Sequence, residues 1–342
     1  MKPNIFKIAT KELSQDAFFA WLLQWADGRM KVLDKDLHQC AVDFVLSLIR
    51  KQVDYKADLV NVCAGRQWGH IDIWAIINDE IFLVIEDKID TLKHSDQLCR
   101  YKEKALAICK NKGFKNLVCI YLKTGNEAGS SLEQNACDGF AIYTRKDLMD
   151  FFNGHNNIQN DIYVDFVESL SCIENETSSF SHLAIKDWTW KSWEGFYQFL
   201  ESEINVNGWE YVSNPAGGFL GLWWHFQRWN DYVVYLQIEQ GNLCIKIGEV
   251  YADKSNVRNE WYKVVKDSAR KNSIKELHKP KRFGCGSYMT VAVVERKDWL
   301  GGEEEVVDLE RVLLILKKYE VFLSKTVQEY IESQKDNRLI SQ

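Results

Sequence analysis

The stretch GHIDIWAIINDEIFLVIEDKID, residues 69–90, contains two apolar segments on either side of a polar turn at 78–80. The first segment, 69–77, is rich in β-branched residues, and the second, 81–89, opens with the apolar run Ile-Phe-Leu-Val-Ile. Two such segments around a turn-forming cluster predict a β-hairpin. A continuous apolar run is typical of a strand buried on both faces, so we expect the second strand to lie inside the sheet.

The length of the turn decides which side chains share a face of this hairpin. If the turn has three residues, Asp72 lies opposite Glu86. By the same count His70 lies opposite Lys88, and the four side chains project from one face because directly opposed residues share a face. Asp87 then points to the other face, where it needs its own partner. A slip of one residue would put the charges of the two strands on opposite faces.

Charged side chains at the end of a buried strand need a physical reason. Burying Glu86 and Lys88, with Asp72 beside them, is unfavourable unless they are paired or bound to an ion. Two carboxylates on adjacent strands form a hard oxygen site of the kind that Mg²⁺ prefers, and a lysine two residues along reaches the same place as a point charge. From the spacing alone, a surface Glu–Lys pair with Asp72 capping a turn explains the pattern equally well.

The rest of the first half of the chain predicts an α/β fold in which a mixed β-sheet is flanked by helices. Apolar spacing predicts further helices over 14–27, 36–50, 94–112, 146–153 and 159–173. Short β-branched runs predict further strands over 57–63, 117–122 and 140–143.

A polar, weakly patterned segment at 174–185 predicts a domain boundary, with a first domain over 1–180 and a second over 187–342. The second is expected to be a smaller α+β domain with an antiparallel sheet, of unknown role, with nucleic-acid or partner binding as the candidates. Its predicted helices are 188–206, 254–273 and 304–333, and its predicted strands are 209–213, 219–229, 232–239, 243–250 and 287–295.

The composition describes an ordinary globular protein. Apolar residues make up 46% and charged residues 27% of 342, which excludes collagen-like, disordered and coiled-coil chains. Apolar runs fall short of the roughly 18 residues of a membrane span, and the first residues lack the apolar core of a secretory signal. The nine cysteines have no zinc-site spacing. We therefore expect reduced thiols, a cytoplasmic location and no membrane contact.

The net charge of −6 lacks the basic excess that favours nucleic-acid binding. A local patch is still possible, because 254–282 holds ten Lys and Arg against three acids. Its candidate phosphate-binding residues are Lys263, Lys266, Arg270 and Lys271, with a merely solvated helix as the alternative. Nine of the thirteen tryptophans lie from Trp188 onward. Aromatics on a sheet face can stack on bases, although most large aromatics belong to a core.

Three segments of the chain resemble the PD-(D/E)XK nuclease superfamily, which has the restriction-endonuclease-like fold. Its motif is an acidic residue in one strand followed by (D/E)-x-K in the next, matched here by Asp72, Glu86 and Lys88. The segment ELSQDAFFAWLL from Glu12 resembles the first-helix signature of an uncharacterised bacterial branch. The segment QLCRY at 97–101 resembles the Q-x-x-x-Y motif on the helix after the second strand.

The resemblance implies a divalent-metal site with Mg²⁺ or Mn²⁺ as cofactor. It assigns Asp72 and Glu86 as metal ligands and catalytic residues, and it makes Glu12 a further metal ligand, with Asp16 as its rival. Lys88 would position a metal-activated water or offset charge on the phosphate.

The same resemblance places one helix face over this site. Gln97 and Tyr101 lie four positions apart, so their side chains share that face and become candidate catalytic residues. A surface helix stripe is the alternative for both. His70 is a candidate general base, although a histidine at the start of a strand is more often only hydrogen-bonded.

The function implied by the resemblance is a Mg²⁺-dependent phosphodiester hydrolase, a nuclease whose expected substrate is DNA and which could pair as a homodimer. The alternative is a catalytically silent nucleic-acid-binding or assembly subunit of a defence or mobile-element system, which the negative charge and the unassigned second half favour. Hydrolysis of RNA or of a nucleotide is a third possibility. The intact acid–acid–lysine set favours an enzyme.

Overall fold

The structure is a computed structural model that describes residues 2–90, 97–214 and 217–340, except for the side chains of 336–340. Residues 94–96 of one predicted helix therefore lie outside the described residues. The chain divides into two compact units, Met1–Asn175 and Glu176–Gln342.

The helices of the first unit are α1 (Ile5–Ile8), α2 (Glu12–Trp25), α3 (Lys35–Ile49), α4 (Gln97–Lys112), α5 (Gly129–Cys137), α6 (Arg145–Asn153) and α7 (Asp161–Ser178), whose last turn belongs to the second unit. Its strands are β1 (Val62–Trp68), β2 (Ile71–Ile77), β3 (Ile81–Lys88), β4 (Asn116–Lys123) and β5 (Ala141–Thr144).

These strands form one mixed sheet in the order β1-β2-β3-β4-β5. The first three strands are antiparallel, whereas β3, β4 and β5 run parallel to one another. Ile77 pairs with Ile81 around a three-residue turn, and the same register continues to the pair Ile73 and Ile85. Every residue of β3 is buried. The predicted hairpin, its register and the mixed-sheet fold class are thus confirmed.

The turn at 78–80 is held by its own side chains. Asn78 and Asp79 adopt positive φ values of 51° and 55°, a conformation that Asn and Asp tolerate better than most residues. The Asn78 side chain accepts hydrogen bonds from the backbone of Val60 and Asn61 and donates to the Tyr55 hydroxyl. These bonds tie the turn to the segment before β1, which favours the three-residue loop.

Helices cover both faces of the sheet. α2 and α3 pack on one face, where Phe19 and Phe44 share a core with Ile85. α4 lies on the other face, where Leu98 packs in a second core with Val84. Because side chains alternate along β3, odd-numbered residues face α2 and α3 and even-numbered ones face α4.

The predicted strand over 57–63 is wrong for most of its length, since β1 begins at Val62 and extends to Trp68. The apolar residues Leu59 and Val60 precede the strand, whereas the paired residues include Gly65 and Arg66. An edge strand with one face less buried need not be apolar throughout. The apolar run at 57–63 was therefore a poor guide to the position of β1.

The second unit holds the helices α8 (Trp190–Glu203), α9 (Lys254–Lys271), α10 (Arg296–Trp299) and α11 (Leu309–Ile340). Its strands are β6 (Val206–Val212), β7 (Phe219–Trp229), β8 (Tyr232–Glu239), β9 (Asn242–Gly248), β10 (Leu277–His278) and β11 (Met289–Val294). They form an antiparallel sheet in the order β10-β11-β9-β8-β7-β6, as the sequence predicts for this half.

Large aromatic side chains fill the core of this second unit. Trp224, Trp229, Trp261 and Trp299 are almost fully buried. The Trp224 indole donates a hydrogen bond to Glu320 of α11, which fixes that helix on one face of the sheet. Within the described residues, no helix has the length and apolar character needed to cross a membrane.

Candidate active site

Asp72, Glu86 and Lys88 meet where β2 and β3 separate. Lys88 Nζ lies 2.5 Å from Glu86 Oε1 and 3.7 Å from Asp72 Oδ2. The last residues that pair in the hairpin are Ile73 and Ile85, and Asp72 and Glu86 directly adjoin them. Because side chains alternate along a strand, Asp72, Glu86 and Lys88 project from the α4 face. The sheet therefore places two carboxylates and one ammonium group together.

Glu86 is buried, with only 1% of its surface exposed. Its Oε1 accepts hydrogen bonds from Lys88 and from Gln97 Nε2, which lies 2.5 Å away. Its Oε2 has no hydrogen-bond donor among the described residues. Burial, followed by the charge of Asp72, raises the pKa of Glu86 to about 8, and Lys88 only partly offsets this. The carboxylate is therefore short of positive charge.

Lys88 remains a cation in this buried position. Burial on its own would lower its pKa, but the ion pair with Glu86 and the charge of Asp72 outweigh burial and raise the pKa to about 12. Its ammonium group also donates a hydrogen bond to the backbone oxygen of Asp87 at 3.1 Å. Lys88 thus presents a fixed positive charge beside the two acids.

The α4 residues reach this site as the resemblance implies. Besides contacting Glu86, the Gln97 amide donates a hydrogen bond to the Tyr101 hydroxyl at 3.1 Å. Tyr101 lies one turn further along the helix and is half-buried. Together they orient the Glu86 carboxylate from the side opposite Asp87.

Glu12 approaches the end of β3 from the first turn of α2. Its Oε1 accepts a hydrogen bond from the Ile89 backbone at 3.2 Å. The charge of Glu12 also acts to raise the pKa of Lys88 and of Lys123. Glu12 therefore lies beside the strand end that carries the site, and its role as a metal ligand stays a prediction.

Asp87 points to the other face, as the three-residue turn requires. Gln15 of α2 donates a hydrogen bond to Asp87 Oδ1 at 2.6 Å and accepts one from Thr124 at 2.8 Å. Asp16 lies on the same side, with Arg66 3.6 Å away. Burial and the charge of Asp72 raise the Asp16 pKa to about 6, and burial and Asp16 raise that of Asp87 well above its usual value.

A second buried lysine, which was not predicted from the sequence, lies at the site. Lys123 ends β4 and pairs in register with Lys88, so both project from the α4 face. Glu127 lies 3.3 Å from Lys123 Nζ and accepts a hydrogen bond from Tyr121 at 2.8 Å. Burial lowers the Lys123 pKa, and Glu127 opposes this. The sequence did contain an indication of it, because Lys123 follows a short apolar strand just as Lys88 does.

The placement of His70 opposite Lys88 is wrong. β1 and β2 are joined by Gly69 and His70, since Trp68 pairs with Ile71. His70 therefore lies in a tight turn with a φ of 76°, exposed to solvent. The strand that was expected from position 69 begins at Ile71. His70 therefore does not share a strand face with Asp72, Glu86 and Lys88.

The residues fit a divalent cation through their chemistry. Among the described residues, no group of three or more His, Cys, Asp and Glu side chains is arranged around a single metal position. Mg²⁺, however, commonly binds through one or two carboxylates and completes its shell with water and substrate oxygens. Asp72 and Glu86 Oε2, which has no donor within the described ranges, would supply such a pair. A cation beside them would relieve the charge that raises the Glu86 pKa.

The four basic candidates of the second unit lie on α9. Lys263, Lys266, Arg270 and Lys271 are all exposed. Arg270 lies 4.0 Å from Asp267, and Lys271 lies 3.6 Å from Glu329. Their role in phosphate binding stays a prediction.

A mixed sheet that carries an acid on one strand and Glu-Asp-Lys at the end of the next defines the class of this protein. The family model of the PD-(D/E)XK nuclease superfamily matches residues 3–190, more than half of the chain, and the chain belongs to this superfamily. Its members are typically nucleases that use divalent metal ions. No curated protein and no solved structure matches the chain.

Proposed function

We propose that the chain is a metal-dependent nuclease that hydrolyses phosphodiester bonds in DNA. The observation that carries this proposal is the buried Glu86 carboxylate beside Asp72. One of its oxygens has no donor in the described part of the chain, and the other contacts Lys88. An arrangement kept only for stability would neutralise this acid, since an incompletely paired buried charge is costly.

Asp72 and Glu86 would hold Mg²⁺ or Mn²⁺, with Glu12 as a further ligand through water. When bound, the cation would supply Lewis-acid activation of a water and stabilise charge that develops on the phosphate. Asp72 is the more accessible acid, with 29% of its side chain exposed, so it faces the substrate side.

Lys88 would bind a non-bridging phosphate oxygen or hold the attacking water in line. It can do so because its ammonium group is already positioned by Glu86 and stays protonated at neutral pH. Gln97 fixes the Glu86 carboxylate, and Tyr101 fixes Gln97 in turn. We further propose that α9 contributes phosphate contacts, and that the enzyme acts in the cytoplasm, with pairing into a homodimer as the expected assembly.

The test is cleavage of plasmid, linear duplex, single-stranded DNA and RNA in the presence of each metal. We expect Asp72→Asn and Lys88→Ala to reduce DNA cleavage at least about 10²-fold, as loss of one charge-stabilising group does in other enzymes. Asp79→Asn is the matched control, because Asp79 lies exposed in the turn of the same hairpin. Wild-type rates for folded Asp72→Asn and Lys88→Ala would contradict the proposal, and a wild-type chain inactive on all four substrates would favour the binding subunit.

A further inference from the structure

The second unit has a sheet face that the proposed nuclease site does not use. Trp223 pairs with Gln237, and Tyr235 pairs with Lys246 on the next strand. Paired residues share a face, and so do residues two apart on a strand, so these four side chains project together. Trp224 points the opposite way, toward α11.

This face borders two adjoining cavities of about 970 and 810 Å³, which we call together the sheet groove. Glu239, Arg282 and Thr290 line both cavities, so the two are continuous along the face. The groove lies entirely within the second unit, between the β7–β9 strands and the segment that leads into β11.

Aromatic rings form one part of the sheet groove. Phe226 and Tyr235 stack with ring centres 4.7 Å apart and planes 14° apart. Tyr288 lies over Gly248, where a Cβ atom would come within 2.6 Å of its ring. Phe226 is 42% exposed and Tyr288 58% exposed. Exposed ring faces beside one another are platforms on which unpaired bases stack, each stack contributing about 1–3 kcal/mol.

A polar cluster lies in the floor next to these rings. Lys246 is buried and donates hydrogen bonds to Glu239 Oε1 at 2.7 Å and to Thr290 at 2.9 Å. Gln237 donates to the same Glu239 oxygen at 3.1 Å. The Glu239 carboxylate is therefore held in a fixed orientation in the groove. A fixed carboxylate can accept hydrogen bonds from the amino groups of bases.

The rim of the groove carries positive charge that is available to an anion. Lys279, Lys281 and Arg282 lie exposed between β10 and β11. Among the described residues, none of these three forms an ion pair within 4 Å, whereas Arg296 and Lys297 are paired with acids. Lys279 lies over an aromatic ring, with its Nζ 4.4 Å from the centre of Phe283. Lys281 and Arg282 are therefore the two cations that complement a backbone of phosphates with splayed bases.

We propose that the sheet groove binds single-stranded nucleic acid, with bases stacked on Tyr288 and Phe226 and phosphates at Lys281 and Arg282. Duplex cannot use the rings, because its bases are already stacked on one another. The inference is independent of cleavage, since it concerns other residues in the other unit, and it holds whether or not Asp72 and Glu86 bind a metal.

The test is fluorescence anisotropy with labelled single-stranded DNA, single-stranded RNA and matched duplex, using the full chain in EDTA so that nothing is cleaved. We expect changes in the groove to weaken single-strand binding and to leave duplex binding unchanged. Tyr288→Ala should weaken single-strand binding about fivefold or more, while Tyr288→Phe keeps it. The matched control is Tyr251→Ala, because Tyr251 is 74% exposed and does not line the groove.

Two further measurements keep the outcome decisive. Phe226→Ala should weaken the same binding, and Arg282→Glu should also flatten its dependence on salt. Circular dichroism confirms that each variant is folded. Single-strand binding that is unchanged in both Tyr288→Ala and Phe226→Ala would overturn the proposal. An equal weakening of duplex and single-strand binding by Tyr288→Ala would overturn it too. So would a dimer that Tyr288→Ala dissociates, since the groove would then serve self-association.

Discussion

Glu86 places one carboxylate oxygen against two donors and the other against none among the described residues. In the metal-free protein this makes the ionised form unfavourable, and the pKa of about 8 expresses that cost. In our proposal the same oxygen is a ligand for the cation. Glu86 would then lower the stability of the metal-free protein and provide a binding site, which is typical of functional positions.

The pH dependence of stability should reveal this carboxyl group. Its pKa rises from 4.5 to about 8 on folding, so between these values the folded chain binds more protons than the unfolded one. Stability contributed by Glu86 is therefore lost as pH rises through this window, by at most about 1.4 kcal/mol per pH unit. Glu86→Gln keeps the shape and removes the titration.

We therefore expect Glu86→Gln to gain stability relative to wild type as pH rises from about 5 to about 8. The measurement is the free energy of unfolding from urea titrations in EDTA at several pH values. Asp16 and Asp87 titrate in both proteins, so the difference between the two isolates Glu86. Parallel pH profiles would show that Glu86 is ionised in the metal-free protein.

At the scale of elements, the site depends on how β3 and β4 end side by side. Gly125 follows β4, and a Cβ atom there would overlap the carbonyl oxygen of Ile89, the residue just after β3. The close approach brings the segment after β4 against the strand end that carries Glu86 and Lys88. Only a glycine permits this contact.

We expect Gly125→Ala to destabilise the protein by about 1–3 kcal/mol and to lower cleavage by displacing the end of β3. Urea unfolding and the cleavage rate are the two measurements. Gly284→Ala is the control for stability, since a Cβ atom at Gly284 meets no described atom within 4 Å. A Gly125→Ala protein with wild-type stability would mean that the backbone shifts freely at this point.

The sequence predicted the hairpin well because two local signals agreed. The polar cluster at 78–80 and the apolar run of β3 both indicated two strands around a turn, and a three-residue turn was the condition for placing Asp72 with Glu86 and Asp87 on the other face. The pairing of Ile77 with Ile81 meets that condition. β1 was misplaced because its pairing, rather than its apolar content, defines it. His70 was misplaced because residues 69–70 form the turn between β1 and β2, whereas the sequence predicted that the strand begins at residue 69.

The rest of the site could not be read from the chain because it depends on long-range contacts. Gln15 and Thr124 are separated by 109 positions, and only the packing of α2 against the end of β4 joins them through a hydrogen bond. α5 (Gly129–Cys137) was not predicted, since its sequence GSSLEQNAC has few apolar residues. Its buried Asn135 donates to Glu127, a contact that no sequence pattern indicates.

At the scale of the whole molecule, a net charge of −6 confines phosphate binding to local surfaces. α9 is one such surface in our proposal. Arg270 and Lys271 have acids nearby, whereas Lys263 and Lys266 form no ion pair within 4 Å in the described part of the chain. Lys263 and Lys266 should therefore release more counterions when DNA binds.

We expect Lys263→Ala with Lys266→Ala to reduce the slope of log affinity for duplex DNA against log salt by up to about 1.8. The pair Arg270→Ala and Lys271→Ala should reduce it less. Binding measured in EDTA over a range of salt concentrations compares the two pairs. An unchanged slope in both double variants would remove α9 from the nucleic-acid interface.

Titration calorimetry with Mn²⁺ measures whether Asp72 and Glu86 form a divalent-cation site. We expect one saturable site in wild type and in Asp79→Asn, and no such site in Asp72→Asn or in Glu86→Gln. Binding that is the same in all four proteins, or absent from wild type, would contradict it.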